Sequence, residues 1–144
     1  MATPSILIVE SPYYEEIASE LAKGAIAALE AAGAQVDRIS VPGALEIPPA
    51  IAIASEAGRY DGFVALGCVI RGETSHYDIV ANESARALMA LNLDGLAIGN
   101  GILTCDTGEQ ARVRADSQGK NKGADAANAA LALVKIREEM SGGK

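Results

Sequence analysis

The chain has 144 residues, of which 49% are hydrophobic and 22% are charged, so it can bury a core and is not a disordered tail. We expect a single domain over residues 1–144. Asp and Glu number 19 against 12 Lys and Arg, and the net charge of −7 opposes binding to nucleic-acid phosphates and to anionic lipid. The sequence therefore predicts neither a nucleic-acid partner nor a membrane partner.

Three sequence features predict a cytoplasmic protein. No apolar run reaches the roughly 18 to 20 residues of a bilayer span, and no signal segment precedes the first predicted strand. The two cysteines, Cys68 and Cys105, are far apart and outside any C-x-x-C motif. This is typical of reduced thiols rather than of a disulfide framework. With one histidine in the chain, a catalytic zinc site is not expected.

Short β-branched or leucine-rich segments alternate with longer helical patterns along the chain. The predicted strands are residues 5–9, 35–41, 62–69 and 96–99. The predicted helices are residues 12–32, 46–57, 76–92, 106–115 and 122–140. Strands that alternate with helices form parallel sheets whose right-handed crossovers cover both faces. The sequence therefore predicts an α/β fold, a three-layer α/β/α sandwich around a four-stranded parallel sheet.

Capping residues locate the starts of the helices. Ser11 as N-cap with Pro12 in the first turn predicts the start of the first helix. Residues 75–78 and 106–109 have the spacing of capping boxes. The buried stripe of the first helix is predicted to be Ile17, Leu21, Ala25, Ala28 and Ala32.

Ligands of open parallel sheets bind at the carboxyl ends of the strands, so the segments that follow each strand are the candidate site. These segments are residues 11–14, 41–46, 71–76 and 99–104. They bring several glycines, the pair Tyr13-Tyr14 and the single histidine, His76, to one rim of the predicted sheet. A tyrosine ring there either stacks on a planar heterocycle or packs as an ordinary core residue.

The segment Gly72-Glu73-Thr74-Ser75 precedes a predicted helix, whose free N–H groups favour an anion such as phosphate. The alternative is a plain capped turn. His76 in the first turn is either a group that transfers protons near neutral pH or a surface histidine. Arg114 and Lys122 either hold an anion or are solvated charges.

Other motif searches give little support for nucleotide binding. The chain has no G-x-x-x-x-G-K-[ST] motif, and residues 99–104 contain only an incomplete G-x-G-x-x-G. From the residues alone, Cys68 is predicted to be a small core residue and Cys105 a loop thiol.

Four motifs at the predicted strand ends and helix starts occur in the order and spacing of one known family. They are VPGALEIP (41–48), GCVIRGETSHYD (67–78), GILT (101–104) and NKG (121–123). Through them nearly the whole chain resembles the 6,7-dimethyl-8-ribityllumazine synthase family. The resemblance implies a flavodoxin-like fold and the penultimate step of riboflavin biosynthesis. In that step 5-amino-6-(D-ribitylamino)uracil condenses with 3,4-dihydroxy-2-butanone 4-phosphate, without metal or organic cofactor.

The resemblance also implies a role for each matching residue. Tyr13 would stack on the pyrimidine, and His76 would be the proton donor and acceptor. Three groups would bind substrate from the same chain: Ala44, Leu45 and Glu46 at the ribityl chain, the backbone of Cys68, Val69 and Ile70 at the pyrimidine edge, and Glu73 and Thr74 at the phosphate. A neighbouring subunit would supply Asn100, Arg114 and Lys122, with Arg114 as the main phosphate partner.

The resemblance implies a homopentamer, with a decamer as the second possibility. Family members that form larger shells tend to have a longer amino-terminal arm, whereas only residues 1–4 precede the first predicted strand here. Pro12, Asn100 and the loop 116–120 depart from the usual family pattern, and the first two are expected to weaken substrate binding.

Two other functions remain open on the sequence. A non-catalytic flavin or lumazine binder would keep the fold and Tyr13 without turnover, but it has less use for both His76 and Arg114. A flavodoxin-like electron-transfer module would retain a yellow cofactor on purification.

Overall fold

The computed structural model describes residues 3–142 and has a parallel sheet at its centre. Its strands are β1 (Ser5–Glu10), β2 (Gln35–Ser40), β3 (Gly62–Ile70) and β4 (Ile98–Cys105). Their order is β2-β1-β3-β4, with all neighbours parallel. The central strands β1 and β3 are therefore paired on both sides, whereas β2 and β4 are the edges.

The helices cover the two faces of this sheet. They are α1 (Glu15–Ala31), α2 (Ile47–Ser55), α3 (His76–Leu93), α4 (Gly108–Ala115) and α5 (Lys122–Met140). Helices α1, α4 and α5 pack on one face, and α2 and α3 pack on the other. No helix within residues 3–142 is both long and apolar enough to cross a membrane.

Alternate residues of β1 belong to separate hydrophobic clusters, as expected for a strand buried on both faces. Ile6 and Ile8 pack with α1, α4 and α5, whereas Leu7 and Val9 pack with α2 and α3. The predicted three-layer sandwich around a four-stranded parallel sheet is thus confirmed.

Glycines allow helix α5 to approach the sheet and α1 closely. A Cβ at Gly99 would overlap the carbonyl oxygen of Ala126, and a Cβ at Gly123 would overlap the carbonyl oxygen of Leu21. Larger side chains at either glycine would push α5 away. This contact fixes where α5 begins and hence where Lys122 lies.

The predicted start of the first helix is wrong. The Ser11 N–H donates to the carbonyl of Leu66 in β3, and its hydroxyl donates to the carbonyl of Pro42 after β2. Ser11 is thus hydrogen-bonded at the edge of the sheet and does not cap a helix. Helix α1 instead begins at Glu15, with Tyr14 as its N-cap. Pro12 therefore lies in the β1–α1 loop.

The predicted stripe of α1 is correct at Ile17, Leu21 and Ala25, which are buried. It is wrong further on, because Ala28 is only half-buried and Ala32 is exposed at the C-cap. Leu29 is buried there instead. It lies four residues after Ala25 and so follows the stripe by the helical spacing.

The fourth strand was predicted too short. Strand β4 continues through Cys105, which pairs with Ile70 of β3. Residues 100–104 therefore belong to the strand and not to a loop beyond it. Glycine weakens a strand pattern in sequence, but Gly99 and Gly101 occur here because α5 packs against them.

Candidate functional site

A cleft of about 540 Å³ opens at the carboxyl edge of the sheet. Its walls are the β1–α1 loop, residues 42–46 after β2, residues 68–70 at the end of β3, and the start of α3. Three successive connections thus meet at the rim that the sequence predicts as a ligand site.

Two tyrosines form one wall of the cleft. The rings of Tyr13 and Tyr14 meet edge to face, with centroids 4.9 Å apart and planes at 85°. Tyr14 also packs against the core, and burial is the main reason that its pKa is raised above the usual tyrosine value, with smaller contributions from Cys68 and Tyr13. Tyr13 is 74% exposed, so its ring is the one available to stack on a planar ligand.

The second wall follows β2. Residues Ala44–Glu46 form a 3₁₀ turn that leads directly into α2, where Pro48 occupies the first turn. Ala44 is buried and fixes the turn, whereas Leu45 and Glu46 are exposed and line the cleft. The Glu46 carboxylate is thus available to accept hydrogen bonds from hydroxyl groups of a ligand.

The floor of the cleft is the part of β3 that extends beyond β1. Pairing with β1 ends at Leu66, whose carbonyl accepts from the Ser11 N–H. In a parallel strand alternate residues direct their backbone groups to the same neighbour. The N–H and C=O of Cys68 and Ile70 therefore point to the side where β1 has ended, which is the cleft.

The Cys68 side chain is a neutral thiol in this site. Burial, with a smaller contribution from Cys105, raises its pKa to about 12. A thiolate nucleophile is therefore disfavoured near neutral pH. Cys68 contributes backbone polar groups to the cleft rather than a reactive sulfur.

The start of α3 lies at the mouth of the cleft. Thr74 and His76 line it and are exposed, whereas Glu73 does not line it. The predicted capping box at 75–78 is wrong, since the Ser75 side chain makes no cap hydrogen bond. Within residues 3–142, the only side-chain group that accepts from a backbone N–H of this first turn is the Thr74 hydroxyl, which accepts from the His76 N–H at 3.3 Å. Other first-turn N–H groups thus remain available to an anion.

Asn100, Arg114 and Lys122 do not reach this cleft. They line a separate concavity of about 360 Å³ beside edge strand β4 and helices α4 and α5. The Asn100 amide oxygen accepts from the Ile102 N–H, and the Arg114 guanidinium donates to the Gln110 carbonyl. Lys122 pairs with Asp125 at 3.4 Å.

The predicted residues thus form two groups on one chain. The cleft collects Tyr13, the 44–46 turn, the end of β3, Thr74 and His76, whereas the β4 concavity collects the three residues assigned to a neighbour. Sequence reasoning gave no individual role to Ser11 and Tyr77 in the cleft, although Ser11 belongs to the candidate segment 11–14. In the concavity it gave none to Asp125 or to Thr104, which belongs to the candidate segment 99–104 and shares a strand face with Asn100.

Within the described part of the chain, no group of three or more His, Cys, Asp and Glu could hold a metal ion. The polar groups that line the cleft are backbone amides, hydroxyls, an imidazole and a carboxylate, which suit an organic ligand that carries polar groups and an anion. The fold and the cleft define a flavodoxin-like α/β protein with a candidate ligand cleft at the carboxyl edge of a parallel sheet.

Comparison with known proteins specifies the family. A family model described as 6,7-dimethyl-8-ribityllumazine synthase matches residues 3–138. Proteins of that name from Zymomonas mobilis and Novosphingobium aromaticivorans are each 58% identical, over 94% of this chain and 97% of theirs. One from Methylorubrum populi is 59% identical, over 95% of this chain and 85% of its own.

The chain belongs to the 6,7-dimethyl-8-ribityllumazine synthase family. The resemblance identified in the sequence is confirmed, and with it the assignment to an enzyme family of riboflavin biosynthesis.

Proposed function

We propose that this chain is an active 6,7-dimethyl-8-ribityllumazine synthase. It condenses 5-amino-6-(D-ribitylamino)uracil with 3,4-dihydroxy-2-butanone 4-phosphate, releasing phosphate and water. The observation that carries the proposal is the cleft itself, which combines an exposed aromatic ring, unpaired strand-end amides and a histidine at a helix start.

The uracil substrate occupies the inner cleft in this proposal. Tyr13 stacks on the pyrimidine, and the backbone groups of Cys68 and Ile70 bind its polar edge, with Val69 between them. The ribityl chain lies along the 3₁₀ turn, where Glu46 accepts hydrogen bonds from its hydroxyls beside Ala44 and Leu45. The exposure of Tyr13 and the end of β1 pairing at Leu66 support this arrangement.

The phosphorylated ketone occupies the mouth of the cleft. Its phosphate binds at the start of α3 near Thr74, where backbone N–H groups and the helix dipole favour an anion. Glu73 was assigned to the same phosphate site, and its backbone rather than its carboxylate suits that role. His76 is then adjacent to the reacting atoms and exchanges protons with them.

The chemistry proposed for this site needs orientation and proton transfer more than a strong nucleophile. The uracil amine attacks the ketone and loses water to give a Schiff base, phosphate leaves, and the ring closes with loss of a second water. His76 is the proton donor and acceptor, while the anion site holds the departing phosphate. The neutral Cys68 thiol fits a mechanism without covalent catalysis by the protein.

A complete site in this proposal needs two chains. Asn100, Arg114 and Lys122 lie in a different concavity from His76 on the same chain, so a neighbour supplies them. We propose a homopentamer, with a decamer as the second possibility. Apolar side chains exposed on α3, namely Ile79, Met89 and Leu93, support burial of that helix between subunits.

The same proposal gives the chain one domain, small-molecule substrates and a cytoplasmic location, with no nucleic-acid or membrane partner. The free thiols of Cys68 and Cys105 support a reducing compartment. Among the three departures from the family pattern, Asn100 has the largest expected effect on substrate binding. Its amide oxygen already accepts from the Ile102 N–H of its own strand.

Mixing the protein with both substrates tests the activity. We expect the green fluorescence of the lumazine product and release of one phosphate per product, with neither signal when either substrate is omitted. The Zymomonas mobilis relative run in parallel controls for substrate quality. Binding of the lumazine without turnover would refute the proposal and favour the non-catalytic binder. A yellow cofactor retained through purification would favour the electron-transfer module.

A further inference from the structure

A network of ionic and aromatic contacts centres on Arg71, which follows the last residue of β3. Its Nε lies 2.9 Å from the Asp106 carboxylate, and its Nη1 lies 3.4 Å from the Asp78 carboxylate. The guanidinium carbon lies 4.2 Å from the centroid of the Tyr77 ring. One planar cation thus contacts the β4–α4 connection and two consecutive residues in the first turn of α3.

These contacts bridge the two ends of residues 72–75, the segment that we assign to phosphate. Arg71 precedes the segment, and Tyr77 and Asp78 follow it, immediately after His76. The segment itself is exposed, and Ser75 does not cap the helix. Its shape therefore depends on how its ends are held.

Asp106 and the neighbouring Cys105 connect Arg71 to the sheet. The Arg71 N–H donates to the Cys105 carbonyl, which extends the pairing of β3 and β4 by one residue. The next residue, Asp106, is itself fixed by its N–H bond to the Gln110 side chain at the start of α4. Arg71 thus joins the phosphate segment to a rigid part of the fold.

We propose that Arg71 is a positioning residue for the phosphate site, and we call its contacts with Tyr77, Asp78 and Asp106 the Arg71 clamp. The clamp holds the amides of residues 72–75 and His76 in the orientation that the phosphorylated ketone requires. Because two carboxylates already pair with this guanidinium, it acts on the phosphate through the segment and not as a direct ligand. The role in catalysis rests on the proposed function, whereas the effect on the segment does not.

The test compares Arg71→Met with Arg59→Met. Arg59 is likewise an exposed arginine that contacts a tyrosine ring, that of Tyr60, but it precedes β3 and so lies at the opposite edge of the sheet from the cleft. For Arg71→Met we expect the KM of the phosphorylated ketone to rise roughly 3- to 10-fold, and the KM of the uracil to change less than about 2-fold. Inhibition by inorganic phosphate weakens in parallel. Arg59→Met leaves all three values unchanged.

Substituting Asp106, a partner of Arg71, distinguishes a clamp from a direct phosphate ligand. Asp106→Asn raises the ketone KM if Arg71 is a clamp, and it lowers that KM if the freed guanidinium binds phosphate itself. Combining it with Arg71→Met adds little further loss, because both changes break the same pair. Arg71→Lys keeps the charge but not the planar fork, so its KM is expected to be intermediate. This variant and Asp106→Asn still test the clamp if Arg71→Met does not fold.

Hydrogen exchange tests the clamp without turnover. In the substrate-free protein, amides of residues 72–79 exchange faster in Arg71→Met than in either the unsubstituted protein or Arg59→Met. If the unsubstituted protein makes no lumazine, the proposed function fails while this comparison still decides on the clamp. Unchanged exchange in Arg71→Met, or tighter phosphate inhibition in Asp106→Asn, would overturn the proposal.

Discussion

His76 is the one imidazole in the chain, and it lies exposed at the mouth of the cleft. Replacing it with alanine removes the proton donor and acceptor but no buried contact. We expect His76→Ala to lower kcat by roughly 10- to 100-fold while the protein keeps its fold. Steady-state kinetics and circular dichroism measure the two effects. An unchanged kcat would remove His76 from the mechanism.

Arg114 is expected to act on one substrate only. Its guanidinium donates to the carbonyl of Gln110 in its own helix, and the half-buried side chain lines the concavity with Lys122. Losing a charge-assisted contact with phosphate costs roughly 1.5 to 3 kcal/mol, so Arg114→Ala should raise the KM of the phosphorylated ketone about 10- to 150-fold. Arg112→Ala is the matched control, because Arg112 pairs with Glu109 on the same helix. Equal losses for both substrates would contradict a phosphate-specific role.

At the scale of single residues, much of the cleft was predictable because ligands of parallel sheets bind at the carboxyl ends of the strands. On that basis Tyr13, Glu46 and His76 were predicted to lie at one rim, and the structure places all three there. Glu73 was predicted alongside them but does not line the cleft, because sequence position alone does not determine on which side of a turn a side chain lies. The orientation of the Cys68 amide depends on where pairing with β1 stops, which the sequence does not reveal.

At the scale of elements, helix starts depend on which side chains are free to cap. The box predicted at 106–109 lies one residue too early, since Thr107 is the N-cap and bonds with Gln110 in both directions. Ser75 has a capping sequence but no capping bond. Ser11 is unavailable because it bonds to the sheet. Sequence patterns predicted the existence of these helices, while competing tertiary hydrogen bonds decided their first residues.

The difference between Thr107, which caps its helix, and Ser75, whose side chain does not, gives a measurable prediction for stability. Thr107→Ala removes the hydroxyl that accepts from the Gln110 N–H in a formed capping box and should cost about 1 kcal/mol, lowering Tm by roughly 2 to 6 °C. Ser75→Ala removes a side chain that makes no cap bond and should leave Tm nearly unchanged. Thermal melts at one protein concentration compare the two variants. Equal shifts would mean that the Thr107 cap contributes nothing specific to stability.

At the scale of the whole molecule, the residues alone did not reveal that the predicted site divides between two surfaces, and only the family resemblance implied it. His76 follows β3, whereas Asn100 lies within β4 and Arg114 and Lys122 follow it. A strand predicted to end at residue 99 would have placed Asn100 on the same rim as His76. Because β4 continues to Cys105, Asn100 instead faces the concavity at the sheet edge. The longer strand thus supports a site shared between chains.

A shared site predicts rescue between two weakened proteins, assayed with the phosphorylated ketone well below its KM so that both substitutions lower the rate. In a ring, each interface takes its His76 side from one chain and its Arg114 side from the next. When His76→Ala and Arg114→Ala chains are unfolded together and refolded in equal amounts, about a quarter of interfaces receive both intact sides, and about a quarter receive both lesions. The mixture should therefore regain about a quarter of the unsubstituted activity, above that of either variant refolded alone. Native mass spectrometry verifies that the rings are mixed. If every site lay within one chain, each would still carry a lesion, and mixed rings would show only the average of the two variants.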